Sequence, residues 1–298
     1  MQADVADATL RERLLLLRAM EALRALDESS LILLAEHARV RRFRAGDIVI
    51  AEGGPIDAVH LVTSGQITVT VSGKTIAVVG PGYGAGFAPL LARIPTGVRA
   101  VADVATQTLE IAAEVLLDVY EQDFAFIRNV MRLQSRSILG VRDGLPADPA
   151  NPPAVDLGTW RDTERTLVER VLAIHAQPIF RGASLDAVIE LVRSDVEVRY
   201  AAGDRIWAAG DPSTFALRVE YGRVRCTNPA GRSVDVGSGF VFGMLDCFAE
   251  LPRGYEARAE TPVIAYSAPV EPLLVVLEAH FDLAMSLVAS FARLRIDL

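Results

Sequence analysis

Between residues 48 and 79 the chain runs through short apolar or alternating stretches, IVIAE, AVHLVTS, ITVTV and TIAVV, divided by Gly, Asp and Pro. Runs of four to eight such residues bounded by turn formers predict β-strands. SGK at 72–74 sits between two of them and predicts a hairpin turn. RIWAA, FALRVEY, RVRCT and SVDVG repeat the pattern later in the chain. On either side of each set the apolar spacing lengthens to three and four residues, the period of a helix. TLRERLLLLRAMEALRAL (9–26) and DESSLILLAEHARV (27–40) lead into the first set, with Asp27 or Ser29 placed as an N-cap. Phe124, Ile127, Met131 and Ile138 make a helical stripe after it. A second stripe, Leu274, Leu277, Phe281, Ala284, Val288, Phe291 and Leu294, follows the second set. It has two readings: packing on its own β-domain, or a coiled-coil-like seam for a homo-oligomer through Phe281, Val288 and Phe291.

The two strand-rich stretches are copies of each other. Turn residues recur 157 positions apart: Gly46 with Gly203, Asp47 with Asp204, Gly53 with Gly210, Pro55 with Pro212 and Gly65 with Gly222. The same spacing carries Gly82 to Gly239 and Gly86 to Gly243. Matching turns with varied apolar residues between them are what two copies of one β-fold show. DGLPADPANPP, beginning at Asp143, is proline-rich and reads as a linker. The expected organisation is a helical lead-in and first domain over 1–142, a linker over 143–158 and a second domain over 159–298. The fold class is mainly β with flanking helices, two tandem β-rolls of jelly-roll type.

Charge narrows the function. Thirty basic residues stand against thirty-eight acidic ones, a net charge of −8. That balance argues against a nucleic-acid partner, whose phosphates need neutralising. The one basic cluster, Arg39, Arg41, Arg42 and Arg44, reads as a solvated strand edge. No apolar run reaches the roughly 18 residues of a membrane span, and the acidic start MQADVADATLRER is unlike a signal peptide. Cys226 and Cys247 form no paired framework, so free thiols in a reducing cytoplasm are expected. His37, His60, His175 and His280 are scattered, which supports neither a metal site nor a cofactor. GSG at 237–239 lacks the spacing of a nucleophile elbow. SGKT at 72–75 lacks the first glycine of a phosphate loop, so no catalytic constellation supports an enzyme.

RFRAGDIVIAEGGPIDAVHLVTSGQITV followed by PGYGAGFAPLLARIPTGVRA resembles the cyclic nucleotide-binding domain, an eight-stranded β-roll with flanking helices. The resemblance covers about 15–140 and 165–298. It implies a phosphate cassette, Gly-Glu-Leu-Ala and then Arg-Ser-Ala, in which backbone amides at a short helix and an arginine hold the cyclic phosphate while the glutamate takes the ribose hydroxyl. In the first copy Gly82, Gly84 and Gly86 supply the glycines, with Gly86 as the cassette glycine. Phe87 stands in place of the glutamate and Ala88 follows it. Arg99, Ala100 and Val101 fall where Arg-Ser-Ala belongs. Arg99 is therefore expected either as the surviving phosphate ligand or as a partly buried arginine paired within the protein. Phe87 is expected to fill the pocket or to stack on a ligand ring. In the second copy Gly243 is the glycine, Met244 replaces the glutamate, and Tyr255-Glu256-Ala257 replaces Arg-Ser-Ala. Arg253 and Arg258 flank that tyrosine.

Losing a charged hydrogen bond costs about 1.5–3 kcal/mol, and losing a buried phosphate-paired arginine about 2–5 kcal/mol. The second copy lacks both groups and is expected not to bind a cyclic nucleotide. The first lacks one. Family members with a DNA-reading helix-turn-helix, a channel or a pseudosubstrate segment have no counterpart in these residues. The expected function is a non-enzymatic regulatory or adaptor protein acting through a protein partner. The alternatives are a sensor for a nucleotide-like ligand in the first domain, and an assembly subunit.

Overall fold

The computed structural model describes residues 9–93, 97–177, 180 and 182–297. The acidic start through residue 8 and the stretch 94–96 after the cassette lie outside them. The chain divides into two compact units, Met1–Val130 with Val288–Leu298, and Met131–Leu287.

The first unit opens with α1 (Leu10–Arg18), a short turn of helix at Glu21–Leu23 and α2 (Glu28–His37). Asp27 caps α2 by accepting the amide of Ser30 at 2.7 Å, which satisfies one orphan donor of the first turn. Eight strands follow: β1 (Arg39–Phe43), β2 (Ile48–Ile50), β3 (Ala58–Ser64), β4 (Ile67–Val71), β5 (Lys74–Val79), β6 (Gly84–Ala85), β7 (Val98–Ala102) and β8 (Thr106–Ala112). A short helix, α3 (Phe87–Leu91), separates β6 from β7, and α4 (Ala113–Gln122) and α5 (Phe124–Val141) come after β8. The strands form two antiparallel sheets, β1-β8-β3-β6 and β2-β7-β4-β5. Ser72 (φ 49°) and Gly73 (φ 81°) both lie in the left-handed region, the requirement of a tight hairpin turn, and join β4 to β5.

The second unit repeats this order. α6 (Leu167–His175) and α7 (Leu185–Ser194) precede β9 (Val196–Tyr200), β10 (Arg205–Trp207), β11 (Phe215–Tyr221), β12 (Val224–Thr227), β13 (Ser233–Val236) and β14 (Val241–Phe242). Then come α8 (Met244–Ala249), β15 (Glu256–Ala259), β16 (Val263–Pro269), α9 (Val270–Ala279) and α10 (Phe281–Asp297). Its sheets are β9-β16-β11-β14 and β10-β15-β12-β13, the first unit's order with each strand advanced by eight. Register agrees too: Val69 faces Ala100 on β4 and β7, and Cys226 faces Ala257 on β12 and β15. The repeated glycines are fixed by backbone. Gly65 and Gly222 sit at φ 88° and 97°, and a Cβ on Gly65 would lie 2.6 Å from the Ala105 carbonyl oxygen. No side chain fits there.

Two expectations about connecting segments change. Residues 143–158 lie along the second roll. Leu145 is wholly buried in that roll's core with Ala147, and the Asp143 carbonyl accepts Asn228 Nδ2 at 3.1 Å. Further on, the Gly222 amide donates to the Leu157 carbonyl at 2.8 Å and the Ser238 amide to Asp156 at 2.6 Å. The segment turns and bends over 143–151 and is a strap tied down by the buried Leu145 and these hydrogen bonds. The C-terminal stripe is not one helix: it breaks at His280 (φ −127°, ψ 88°), and α9 and α10 diverge by 115°. Of the three residues expected for self-association, Val288 and Phe291 are buried within the chain and Phe281 is half-buried. Among the described residues no single helix is long and apolar enough to cross a membrane.

Candidate ligand site

In each roll a two-residue edge strand turns through a left-handed glycine into a short helix, and the strand after it returns across the inner wall. In the first roll β6 ends at Gly86 (φ 96°), which caps α3. A Cβ on Gly86 would meet Ile50 Cδ1 at 3.1 Å and the Ala58 carbonyl oxygen at 3.3 Å, so the glycine is held by close packing as well as by its φ. Gly82 is exposed at φ 87°, and Ala88 is half-buried on α3.

The strand geometry corrects the placing of the arginine. On β7, Val98, Ala100 and Ala102 are buried, whereas Arg99 is exposed. Side chains alternate faces along a strand, so Arg99 lies on the outer face and Val98 on the inner one. Ala100 faces Val69 and belongs to the core. The equivalent of Val98 in the second roll is Tyr255, and that of Arg99 is Glu256. The repeat spacing thus pairs Arg99 with Glu256, and not with Tyr255. We expect Arg99→Ala to change stability by less than about 0.5 kcal/mol, the usual range for surface substitutions, in a urea melt.

Phe87 also departs from expectation. A Cβ on Gly84 would meet both Phe87 Cδ2 (2.7 Å) and Leu61 Cδ2 (3.0 Å). Leu61 and Gly84 are cross-strand partners, and the core of the roll takes the alternate residues Val62 and Ala85. The Phe87 ring thus folds back over Gly84 on the outer, helix-bearing side of the sheet, where it neither plugs the roll nor stacks within it. The inner wall instead carries His60, whose Nδ1 lies 3.3 Å from the Thr108 hydroxyl and whose ring meets Phe43 edge-on. Burial pushes this imidazole down, towards the neutral form. Its place between apolar residues of AVHLVTS was the available signal.

The second roll is filled. Gly243 (φ 79°) caps α8, and Met244 begins that helix. Tyr255 is wholly buried, and its ring stands 5.7 Å from that of Trp207. Trp207, itself 4% exposed, also packs at 4.9 Å on Phe242 and 5.7 Å on Phe215. Arg253 lies over the indole at 4.0 Å and donates through Nη1 to the Gly243 carbonyl at 2.9 Å and through Nη2 to the Phe215 carbonyl. The flanking arginine has turned inward, with Nη1 and Nη2 on carbonyls, its flat face on an indole and its buried Nε without a partner among the described residues. Glu256 does not face this interior: it pairs with Arg258 at 3.1 Å across the outer surface.

Asp246, on α8, is almost wholly buried and accepts the Gly254 amide at 3.1 Å. Burial pushes its carboxyl up to about 6, against the pull of that amide and of Arg253. A carboxyl raised on folding stabilises the folded state fully only below its unfolded value, and the contribution is lost as pH rises through the folded value. Stability of the second domain is accordingly expected to fall by on the order of 3 kcal/mol between pH 4 and 7, and Asp246→Asn to flatten that slope in denaturant titrations. Cys226 and Cys247 are unbridged and buried, and burial pushes Cys247 up to about 11.

The cyclic nucleotide-binding domain family matches residues 40–123 and again 197–280. The chain belongs to that family. Both of its cyclic nucleotide-binding domains keep the roll and the glycine-capped cassette helix described above. Among curated proteins it is similar to Glutaminase 1 of Bradyrhizobium diazoefficiens, 25% identical over 170 residues, covering 57% of this chain and 28% of that protein. Glutaminase 2 of the same organism is 25% identical over 146 residues and is covered to 23%. The chain thus spans about a quarter of the length of these relatives. Among solved structures, the regulatory domain of Toxoplasma gondii PKA with cAMP is 17% identical, with 90% of this chain and 92% of that one covered and a TM-score of 0.35. The N-terminal domain of a Streptomyces coelicolor transcriptional regulator is 28% identical over 41% of this chain and 88% of its own, with a TM-score of 0.37.

Proposed function

We propose that the chain is a non-enzymatic regulatory or adaptor module whose second cyclic nucleotide-binding domain has given up its ligand and acts through contacts with a protein partner. The observation that carries this reading is the interior of the second roll. Trp207, Phe242, Tyr255 and the bound guanidinium of Arg253 occupy it, and the strap residue Leu145 is buried in the same core. A ligand entering there would have to displace aromatic side chains and break hydrogen bonds to Arg253. The net charge of −8 supports a partner other than nucleic acid, and the free thiols suit a reducing cytoplasm.

A specific contrast favours a second reading for the first domain. Where the second roll has Trp207, Phe215, Phe242 and Tyr255, the first has Ile50, Ala58, Ala85 and Val98. Several apolar residues against that core, Val71, Ala77 and Val79 among them, are only half-buried. A roll lined by small side chains suits a ligand recognised by shape and apolar contact, without an arginine for phosphate. A thermal-shift screen with cyclic mononucleotides, cyclic dinucleotides and linear nucleotides separates the two. A ligand at about 100 times its Kd adds about 2.7 kcal/mol. No rise from any of them is the adaptor's result. A rise that persists in Arg99→Ala and disappears when Val98→Phe fills the first roll makes that domain a sensor.

A further inference from the structure

The helix-bearing side of the second roll holds a cavity of about 50 Å³ that the proposed function does not use. Its wall is aliphatic and aromatic, with Ile174, Phe180, Leu191 and Met244 prominent, and it contains two charged groups, Asp195 and Arg218. Arg218 is 6% exposed and spends Nη1 on Glu220, whose other oxygen takes Arg165 at 2.9 Å. Its Cζ lies 5.0 Å from the centre of the Tyr266 ring. Arg218 Nε and Asp195 Oδ1 are buried without a hydrogen-bond partner among the described residues. A buried donor and a buried acceptor left open are costly.

The first roll shows that the fold does not require them. The positions of Asp195, Arg218 and Tyr266 are occupied there by Ala38, Leu61 and Leu109, all buried. The same strut is present in both copies: Arg13 Nη1 donates to the Ala38 carbonyl at 2.6 Å, and Arg170 Nη1 to the Asp195 carbonyl at 3.1 Å. Arg13 Nε and Arg170 Nε are open in both copies, so what the second junction adds at these positions is an open Arg218 N–H and an open Asp195 carboxylate oxygen in place of apolar side chains.

We propose that this second junction is a binding site for a small neutral molecule of the carboxamide class, its carbonyl accepting from Arg218 Nε and its N–H donating to Asp195 Oδ1. A charged ligand would add an uncompensated charge to the Asp195–Arg218 pair, and a hydrocarbon would leave both atoms open. An amide presents an acceptor and a donor on adjacent atoms. At about 10–15 Å³ for each water-sized occupant, the space takes roughly three to five non-hydrogen atoms, with the short alkyl part against the aliphatic wall. Met244 heads the cassette helix α8, so the occupant would touch the element that holds ligand in this family's fold.

The test is a titration of the full chain with propionamide, propionate and propylamine, followed through the methyl NMR signals of Ile174, Leu191 and Met244. Saturable shifts in the millimolar range are expected with propionamide alone. Asp195→Ala combined with Arg218→Leu installs the first roll's own residues and should weaken the amide by about tenfold or more. No saturation, equal responses to the three probes, or an unweakened amide in the double variant overturns the proposal. Selectivity in the unmodified chain decides the matter even where the variant does not fold.

Discussion

Trp207→Ala is expected to cost the second domain about 3–5 kcal/mol, the range for removing a large buried aromatic. The reason is the number of groups that lean on one ring. Phe215, Phe242 and Tyr255 pack around the indole, and the Arg253 guanidinium lies 4.0 Å above it. Alanine would leave a void bounded by three aromatic faces and an arginine whose two terminal nitrogens are tied to carbonyls, so collapse is hindered and the cavity persists. At about 2–4 °C of melting temperature per kcal/mol for a domain of this size, the loss should be plain in a thermal scan. Trp207→Ile, which copies Ile50 of the first roll, should lose less because it keeps part of the volume. A cost below about 1 kcal/mol for the alanine variant, outside the range for buried aromatics, would mean that the second roll tolerates an empty interior. The case against a ligand there would then fail.

That filled interior was only partly legible in the chain. The glycines 157 positions apart gave the two rolls, because a turn that needs positive φ admits little besides glycine. Strand order and register then follow from the repeat. Apolar alternation marked β3 and β11 as buried, but it did not say that Arg218 and Glu220 would be buried as well, since a charged residue in an alternating strand ordinarily faces water. Arg253 lay beside the cassette in the sequence, yet its inward turn depends on Trp207, Gly243 and Phe215 arriving from three other elements. The strap at 143–158 was hidden by its prolines. Composition identifies an extended segment, but not the surface it follows.

Arg99 is a different kind of miss, and it leads to the second large effect. A motif is matched by spacing along the chain, whereas a strand sorts side chains by parity, and a slip of one residue exchanges inside for outside. Val98 is 3% exposed and faces the core that Ala100 and Val69 share. Val98→Arg should therefore place a guanidinium on the inner wall of the first roll. Without ligand that charge is buried and unpaired, and the variant should be destabilised by about 3–5 kcal/mol, as when a buried ion pair loses one partner. A cyclic nucleotide supplies the missing anion. Its binding should recover a large share of that loss, and a phosphate–arginine contact worth about 2–5 kcal/mol makes the gain in affinity roughly thirtyfold or more. The measurement is a pair of urea melts of Val98→Arg, with and without cyclic nucleotide, beside the same pair for the unmodified chain. Loss and rescue together would show that the first roll still has the shape of a nucleotide site and accepts the ligand once a cation is supplied, even with Phe87 in place of the cassette glutamate. Loss without rescue would mean that the shape has gone too, leaving contacts on the outside of the roll as the route by which the first domain acts.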